Sequence, residues 1–378
     1  MTFRTSELTL YDKPATLCFS QSKLVSLQHA LEQLDSSTTI LSVQGLEELT
    51  LRADGRTTVG GYRYTSVAFH QLTGMLARGS ATLLRDLSGS QRRPGQAANG
   101  QLARRVFNDI LALRLPSLTG CRLVRNEAGK VIDGLLGPNH RILENSALLK
   151  QVQSVAATTE RGMGFFAGVL MGRRLMLWYR EPQAVAVTVA EGKTWNLYPG
   201  FYFANGEVRG TGMRGTAALL TPRGCCLGDY SEYGDRMAHQ GRNFEHRLDK
   251  LFRTLCSREF PLARLVVGLQ LLAQTPLGFG ESPIDPQDHQ HKRWLAHRLG
   301  DLHVPANLAK LVVEHAVRVS SVQPELPWPV TMSMRAQRTA LDFWSALITV
   351  ARRLPLAKRE LLERAGWHML HNGFQIER

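Results

Sequence analysis

The chain predicts an α+β fold: a mainly antiparallel sheet flanked by helices, followed by a helical C-terminal region. Short β-branched and aromatic runs separated by turn dipeptides occupy roughly residues 160–220. Beyond about residue 236, apolar residues recur at helical spacing instead. The 378 residues, 43% apolar and 21% charged, have an ordinary globular composition and are enough for more than one core. The expected division is an α+β core over 1–235, carrying an exposed basic loop near 88–100, and a helical region over 236–378 packed on that core.

Taken in order, Leu24, Leu27, Leu31 and Leu34 predict an amphipathic helix with Ser20 or Ser22 as its cap. Leu49–Ala53 and Thr57–Gly60 predict two short strands around Asp54-Gly55, a dipeptide that tolerates positive φ. A helix is expected over Ser66–Leu76 after the ring-and-arginine stretch 62–65. A related layout recurs with a turn at Asp133-Gly134 and a helix over Leu143–Val152. Strands are expected over Gly164–Trp178 and Ala184–Ala190, on either side of Glu181-Pro182. Leu197–Phe203 and Gly210–Leu220 are expected to pair across Asn205-Gly206. Six helices should follow, over Asn243–Leu255, Leu262–Ala273, Gln290–Leu299, Asn307–Val319, Arg335–Arg353 and Leu356–Ala365. Proline- and glycine-rich turns at 275–286 and 324–329 separate them.

Charge narrows the function. Lysine plus arginine number 46 against 32 acids, a net +14, and only nine of the basic residues are lysine. Guanidinium groups offer a planar fork of donors matched to phosphate, so a polyanionic partner is one reading and arginine-rich codon usage is the other. Residues 76–130 carry ten basic side chains against three acids, with Arg92, Arg93, Arg104 and Arg105 at their centre. These residues either form a solvated surface or contact nucleic acid. Residues 198–247 interleave glycine, arginine and aromatics. Arg209, Arg214, Arg223 and Arg242 could hold phosphates while Tyr198, Phe201, Tyr202 and Phe203 offer stacking faces. Alternation along a strand allows a second arrangement, in which Phe201 and Phe203 are core and Tyr202 alone faces outward.

Other chemistries are less well supplied. No GxxxxGK[ST] loop and no strand-to-helix GxGxxG occur, so no nucleotide cofactor is implied. The five cysteines form no CxxC pattern and are expected to be reduced. Cys225-Cys226 with His239 as base is weaker as a nucleophile than as buried thiols. His289, His291, His297 and His303 lie in a polar stretch near Asp285 and Asp288, where solvated histidines are the plainer reading than a metal site. Asp229, Glu232, Asp235 and His239 could hold magnesium for nuclease chemistry, and this is the enzyme alternative. No run of 18 apolar residues occurs, and the opening MTFRTSELTLYDKP lacks the order of a secretion signal. A cytoplasmic protein without a membrane partner is therefore expected.

Tyr62–Leu76, Leu136–Leu149, Ala204–Gly228 and Arg236–Arg247, in that order, resemble a family found mainly in phages and plasmids and known as domain of unknown function number 932. The family pattern sets an Asn-Ser-Glu-Val-Gly-like turn before a strand, then Arg-x-x-Cys-x-Asn-Gly-like and His-x-Gly-like segments. Asn205–Gly210, Arg223–Cys226 and His239–Arg242 stand at those places here. Gly206 replaces the serine, and Leu227-Gly228-Asp229 stand where Asn-Gly is expected. Residues 339–353 and 359–366 resemble the closing helices. The resemblance implies a mobile-element setting and a distant similarity to phage single-strand annealing proteins, and it transfers no catalytic residue. The expected function is therefore binding of nucleic acid, preferentially single-stranded DNA, in recombination or replication, without covalent chemistry. A third alternative is a structural or interaction protein whose charge is incidental. A homo-oligomer is neither required nor forbidden.

Overall fold

The computed structural model describes residues 16–43, 49–54, 57–76, 80, 83–84, 100–190, 193–208, 213–220, 226–228, 235–237, 239, 243–258, 262–279, 282–283, 289–318, 339–354 and 356–372. The chain opens with β1 (Thr16–Ser20), α1 (Leu24–Ser36) and β2 (Thr38–Ser42). Next come β3 (Arg63–Tyr64), α2 (Ser66–Leu76), α3 (Gly100–Arg114), β4 (Arg122–Asn126), β5 (Val131–Leu136) and α4 (Asn145–Thr158). The strand-rich middle consists of β6 (Gly164–Met171), β7 (Arg174–Arg180), β8 (Val185–Ala190), β9 (Lys193–Gly206), β10 (Met213–Leu220), β11 (Cys226–Gly228) and β12 (Asp235–Met237). The last third holds α5 (Phe244–Ser257), α6 (Leu262–Gln274), a minimal hairpin of β13 (Gly278–Phe279) and β14 (Ser282–Pro283), α7 (His289–Asp301), α8 (Ala306–Arg318), α9 (Ala340–Arg353) and α10 (Leu356–Asn372).

The fold is α+β. An eight-stranded antiparallel sheet runs in the order β1-β6-β7-β9-β10-β11, with β8 also on β9 and β12 also on β10. A smaller mixed sheet runs β2-β4-β5-β3, in which β3 lies parallel to β5. Period-two alternation gives the larger sheet two distinct faces. On the inner face, Leu175, Leu177, Tyr179, Phe201 and Phe203 pack against Leu27 and Leu31 of α1, Leu148 and Val152 of α4, and Leu248 and Phe252 of α5. Farther along the same face, Val187, Leu197, Ala217 and Leu219 meet the C-terminal helices through Leu269, Leu299, Trp344 and Leu347. The smaller sheet has its own core with α2 and α3, built on Tyr64, Phe69, Phe107 and Leu123.

Several expected elements fall elsewhere. Asp133-Gly134 is no turn: both residues lie buried inside β5, the reversal sits at 127–130, and a Cβ on Gly134 would collide with Val208. Asn205-Gly206 ends β9 rather than turning, although β9 and β10 pair as expected with Arg214 opposite Ala204. The single strand expected over 164–178 is a hairpin, β6–β7, reversing at Gly172, whose φ is +55°. The strands expected at 49–53 and 57–60 pair only through an antiparallel bridge of Leu51 with Thr58, and Thr57 makes a second bridge with Arg63. Helix α3 occupies part of the stretch read as a basic surface. His289 and His291 belong to helix α7. The helix expected from Arg335 begins at Ala340, with Thr339 and Asp342 forming a reciprocal capping box. The β12 strand and α5 carry the sheet and its core across the expected boundary at 235.

The helices of the last third approach closely enough to make one prediction. A Cβ at Gly268 of α6 would run into the carbonyl oxygen of Leu370 in α10, a backbone atom that cannot rotate away. Helix propensity alone favours Gly268→Ala by about 1 kcal/mol. Overpacking costs about 1–3 kcal/mol and should win. Urea unfolding followed by circular dichroism is expected to show a lower midpoint for the alanine variant.

Candidate functional site

The outer face of the larger sheet is where sequence, burial and charge converge. Register places Arg174, Met176, Trp178 and Arg180 of β7 outward, beside Tyr198, Tyr202 and Ala204 of β9 and Arg214, Thr216 and Leu220 of β10. No aspartate or glutamate occupies an outward position on these three strands. Met176, Trp178, Tyr202, Ala204, Ala218 and Leu220 form a thin apolar floor, edged by the half-buried Phe166 and Tyr198.

Arg180 is the most telling side chain on this face. Its guanidinium carbon lies 4.4 Å from the centroid of the Phe166 ring and 4.1 Å from that of Tyr198, and it makes no ion pair among the described residues. Two aromatic rings flank the guanidinium without neutralising its charge, which remains available to an anion. Several other described cations are paired with carboxylates. Examples are Arg161 with Glu181, Lys150 with Glu32, Arg253 with Asp249, and Arg359 with Glu363.

Beside this floor lies a half-open cavity of about 400 Å³. Phe166, Trp178 and Leu220 give it apolar walls, and Ser20, Lys23 and Arg359 stand around it. Leu220 and the residues of β1 lie on strands separated by three others, a span of roughly 19 Å in a flat sheet. Both border the cavity, which therefore reaches across the outer face from β1 towards β10.

A second polar cluster is buried between the two sheets. Arg173, at the β6–β7 turn, donates from Nε to Asp133 Oδ2 of the smaller sheet at 2.9 Å and from Nη1 to Glu207 Oε2 at 3.1 Å. Its third nitrogen donates to the Thr38 hydroxyl. Glu207 also accepts the backbone N–H of Asn145 at 2.5 Å, so a carboxylate caps the first turn of α4. Burial pushes the Glu207 carboxyl up to about 7. Arg173 and the Asn145 N–H oppose that rise, and the nearby charge of Asp35 adds to it. Burial likewise raises Asp133 in spite of Arg173.

The cluster continues into two imidazoles. Asn205 donates its amide to Asn145 Oδ1 at 2.9 Å, which leaves its own carbonyl to accept His239 Nε2–H at 2.8 Å. That bond fixes the proton on Nε2. Nδ1 of His239 is then a buried lone pair without a hydrogen-bond partner among the described residues. The His140 ring stacks 5.0 Å away, and burial together with that neighbour lowers His239 to about 4. This cluster joins the sheets, with Arg173, Asp133, Asn145, Asn205, Glu207 and His239 all buried, so its first role is mechanical.

The expected site residues divide between these regions. Tyr202 does point to the outer face while Phe201 and Phe203 are core, but Tyr202 is only 3% exposed and tilts against Trp178 at 5.2 Å. Phe166 and Tyr198 are the rings of this face that remain half-buried. Arg214 joins the outer face diagonally from Tyr202. Arg104 and Arg105 sit on α3 beside the smaller sheet, away from that face. Arg105 is exposed, and Arg104 is half-buried with its Nε enclosed. Arg92, Arg93, Arg209, Arg223 and Arg242 lie outside the described residues, as do Asp229 and Glu232 of the nuclease alternative. The imidazole of that alternative, His239, is buried against Asn205.

Among the described residues no group of three or more His, Cys, Asp or Glu side chains could hold a metal ion, and no helix is long and apolar enough to cross a membrane. Sequence reading missed Phe166 and Arg180. The alternation of Arg174, Met176, Trp178 and Arg180 along one strand was the signal that could have found the second. Comparison of the chain with models of protein families, with curated proteins and with solved structures returned no match.

Proposed function

We propose that the chain binds single-stranded nucleic acid, DNA by preference, along the outer face of the larger sheet, without covalent chemistry. The observation that carries this reading is Arg180, flanked by the Phe166 and Tyr198 rings with no carboxylate partner among the described residues. A sequence-tolerant strand site needs cations for the backbone and rings for the bases, and this face offers both without an outward acid on β7, β9 or β10. The net charge of +14 would steer a polyanion toward the protein. The resemblance to the phage and plasmid family is what suggests recombination or replication of a mobile element as the setting.

The test is fluorescence anisotropy of a labelled oligothymidylate over a series of salt concentrations. Each phosphate neutralised contributes about 0.7 to the slope of log affinity against log salt for a single strand. Arg180→Glu is expected to weaken binding at least about tenfold and to flatten that slope by about one phosphate's share. Equal affinity and equal slope in wild type and variant would remove this face from the proposal.

A further inference from the structure

We infer that the cavity between β1, β6 and β7 is a single-nucleotide pocket, taking one base of the bound strand against its aromatic wall with the attached phosphate toward Lys23 and Arg359. The inference rests on the strand-binding reading and specifies where on that face one nucleotide is held.

Size comes first. A volume of about 400 Å³ lies in the range of small-ligand sites, roughly 300–1,000 Å³. Chemistry narrows the occupant. The half-buried Phe166 ring supplies the apolar wall, the mostly buried Trp178 backs it, and Arg180 lies over the Phe166 ring. Cations approach from two unconnected elements: Lys23 from the turn after β1, and Arg359 from α10. Lys23 is exposed and makes no ion pair among the described residues. Arg359 is positioned by Glu363 at 2.6 Å and lies 5.6 Å over the Trp178 ring. Among the described residues no acid lines the cavity. An apolar slot with cations at its rim and no acid in its lining matches a planar group carrying an anion better than it matches a purely apolar ligand. Arg180 stands on the same face, beside the half-buried Phe166 that also lines the cavity.

The cavity contains its own reporter. Cys18 lines it and is exposed, whereas Cys121 and Cys256 are buried. Alkylation of the full-length protein can be followed with oligothymidylate or thymidine monophosphate present, with Cys18→Ser supplying the background from the other thiols. Both probes are expected to slow alkylation of Cys18, the monophosphate only at higher concentration. Ala167→Trp, which fills the cavity, should abolish protection by the monophosphate and weaken the oligonucleotide about tenfold, the share of one stacked base. Lys23→Glu, an exposed change that leaves the packing alone, should weaken both probes and covers the case in which the tryptophan variant does not fold.

An oligonucleotide that binds while Cys18 reacts at its free rate, with Lys23→Glu unchanged, overturns the pocket and leaves the sheet-face reading standing. Protection by the monophosphate with no oligonucleotide binding supports the pocket and overturns the strand reading. If neither probe binds, both fall.

Discussion

Arg173→Met is expected to lower the stability of the protein by roughly 3–5 kcal/mol, the cost of stripping one partner from a buried ionic set. The arginine is 5% exposed, and its loss leaves Asp133 and Glu207 facing each other without a cation. Moving two charges out of water is costly, and only the shared guanidinium with its hydrogen bonds to Thr38, Asp133 and Glu207 offsets that cost. Glu207→Gln in the same chain removes one orphaned charge, so the double variant should recover part of the loss. A double-mutant cycle by urea unfolding at pH 8 reads that coupling directly. A loss within about 1 kcal/mol for Arg173→Met would mean that the two sheets are not held together through this group.

The effect should be asymmetric in space as well. Asp133 belongs to the smaller sheet, while Arg173 and Glu207 lie at strand ends of the larger one, so the set ties together two cores that also meet where Val208 packs on Val124 and Leu136. Amide exchange in β4 and β5 should accelerate more than in β9 and β10, which remain anchored to α5 through Phe203 and Phe252.

What could be read from the sequence was what local periodicity determines. The helices α5, α6 and α10 were visible because residues such as Leu248, Leu251, Phe252 and Leu255 repeat on one face. The alternation of Phe201, Tyr202 and Phe203 already separated core from outer face. Turn dipeptides misled where tertiary contacts outweighed them. Gly134 is small because Val208 packs on it, and the Asn205 amide serves the His239 and Asn145 bonds instead of a reversal. Helix α3 was overlooked because its arginines drew the reading toward surface charge, although Ala103, Phe107 and Leu111 are spaced four apart and buried. The inter-sheet ion pairs join residues 40 and 34 positions apart, with no local signature at all. The Phe166–Arg180–Tyr198 sandwich likewise needs three strands in register before it exists.

Stability should also respond to pH through two buried groups that work against each other, and single substitutions should expose each one. Glu207 rises from 4.5 to about 7 on folding, so the folded state holds more protons over that interval and stability declines as pH climbs through it. His239 falls from 6.5 to about 4, so the folded state holds fewer protons and stability grows with pH from about 4 to 6.5. Each swing is on the order of 3 kcal/mol, because every tenfold change in proton affinity on folding corresponds to about 1.4 kcal/mol. Burial lowers His140 and raises Asp133, adding one smaller contribution to each side. The wild-type profile between pH 4.5 and 6.5 should therefore be nearly flat. Glu207→Gln leaves the imidazoles unopposed, and its urea midpoint should rise steadily over that window. His239→Gln keeps an amide for Asn205 but removes the titrating ring, and its midpoint should fall from pH 4.5 to 7. Two variants with the same flat profile as the wild type would show that neither group changes protonation on folding, and the buried cluster would then have to be open to water.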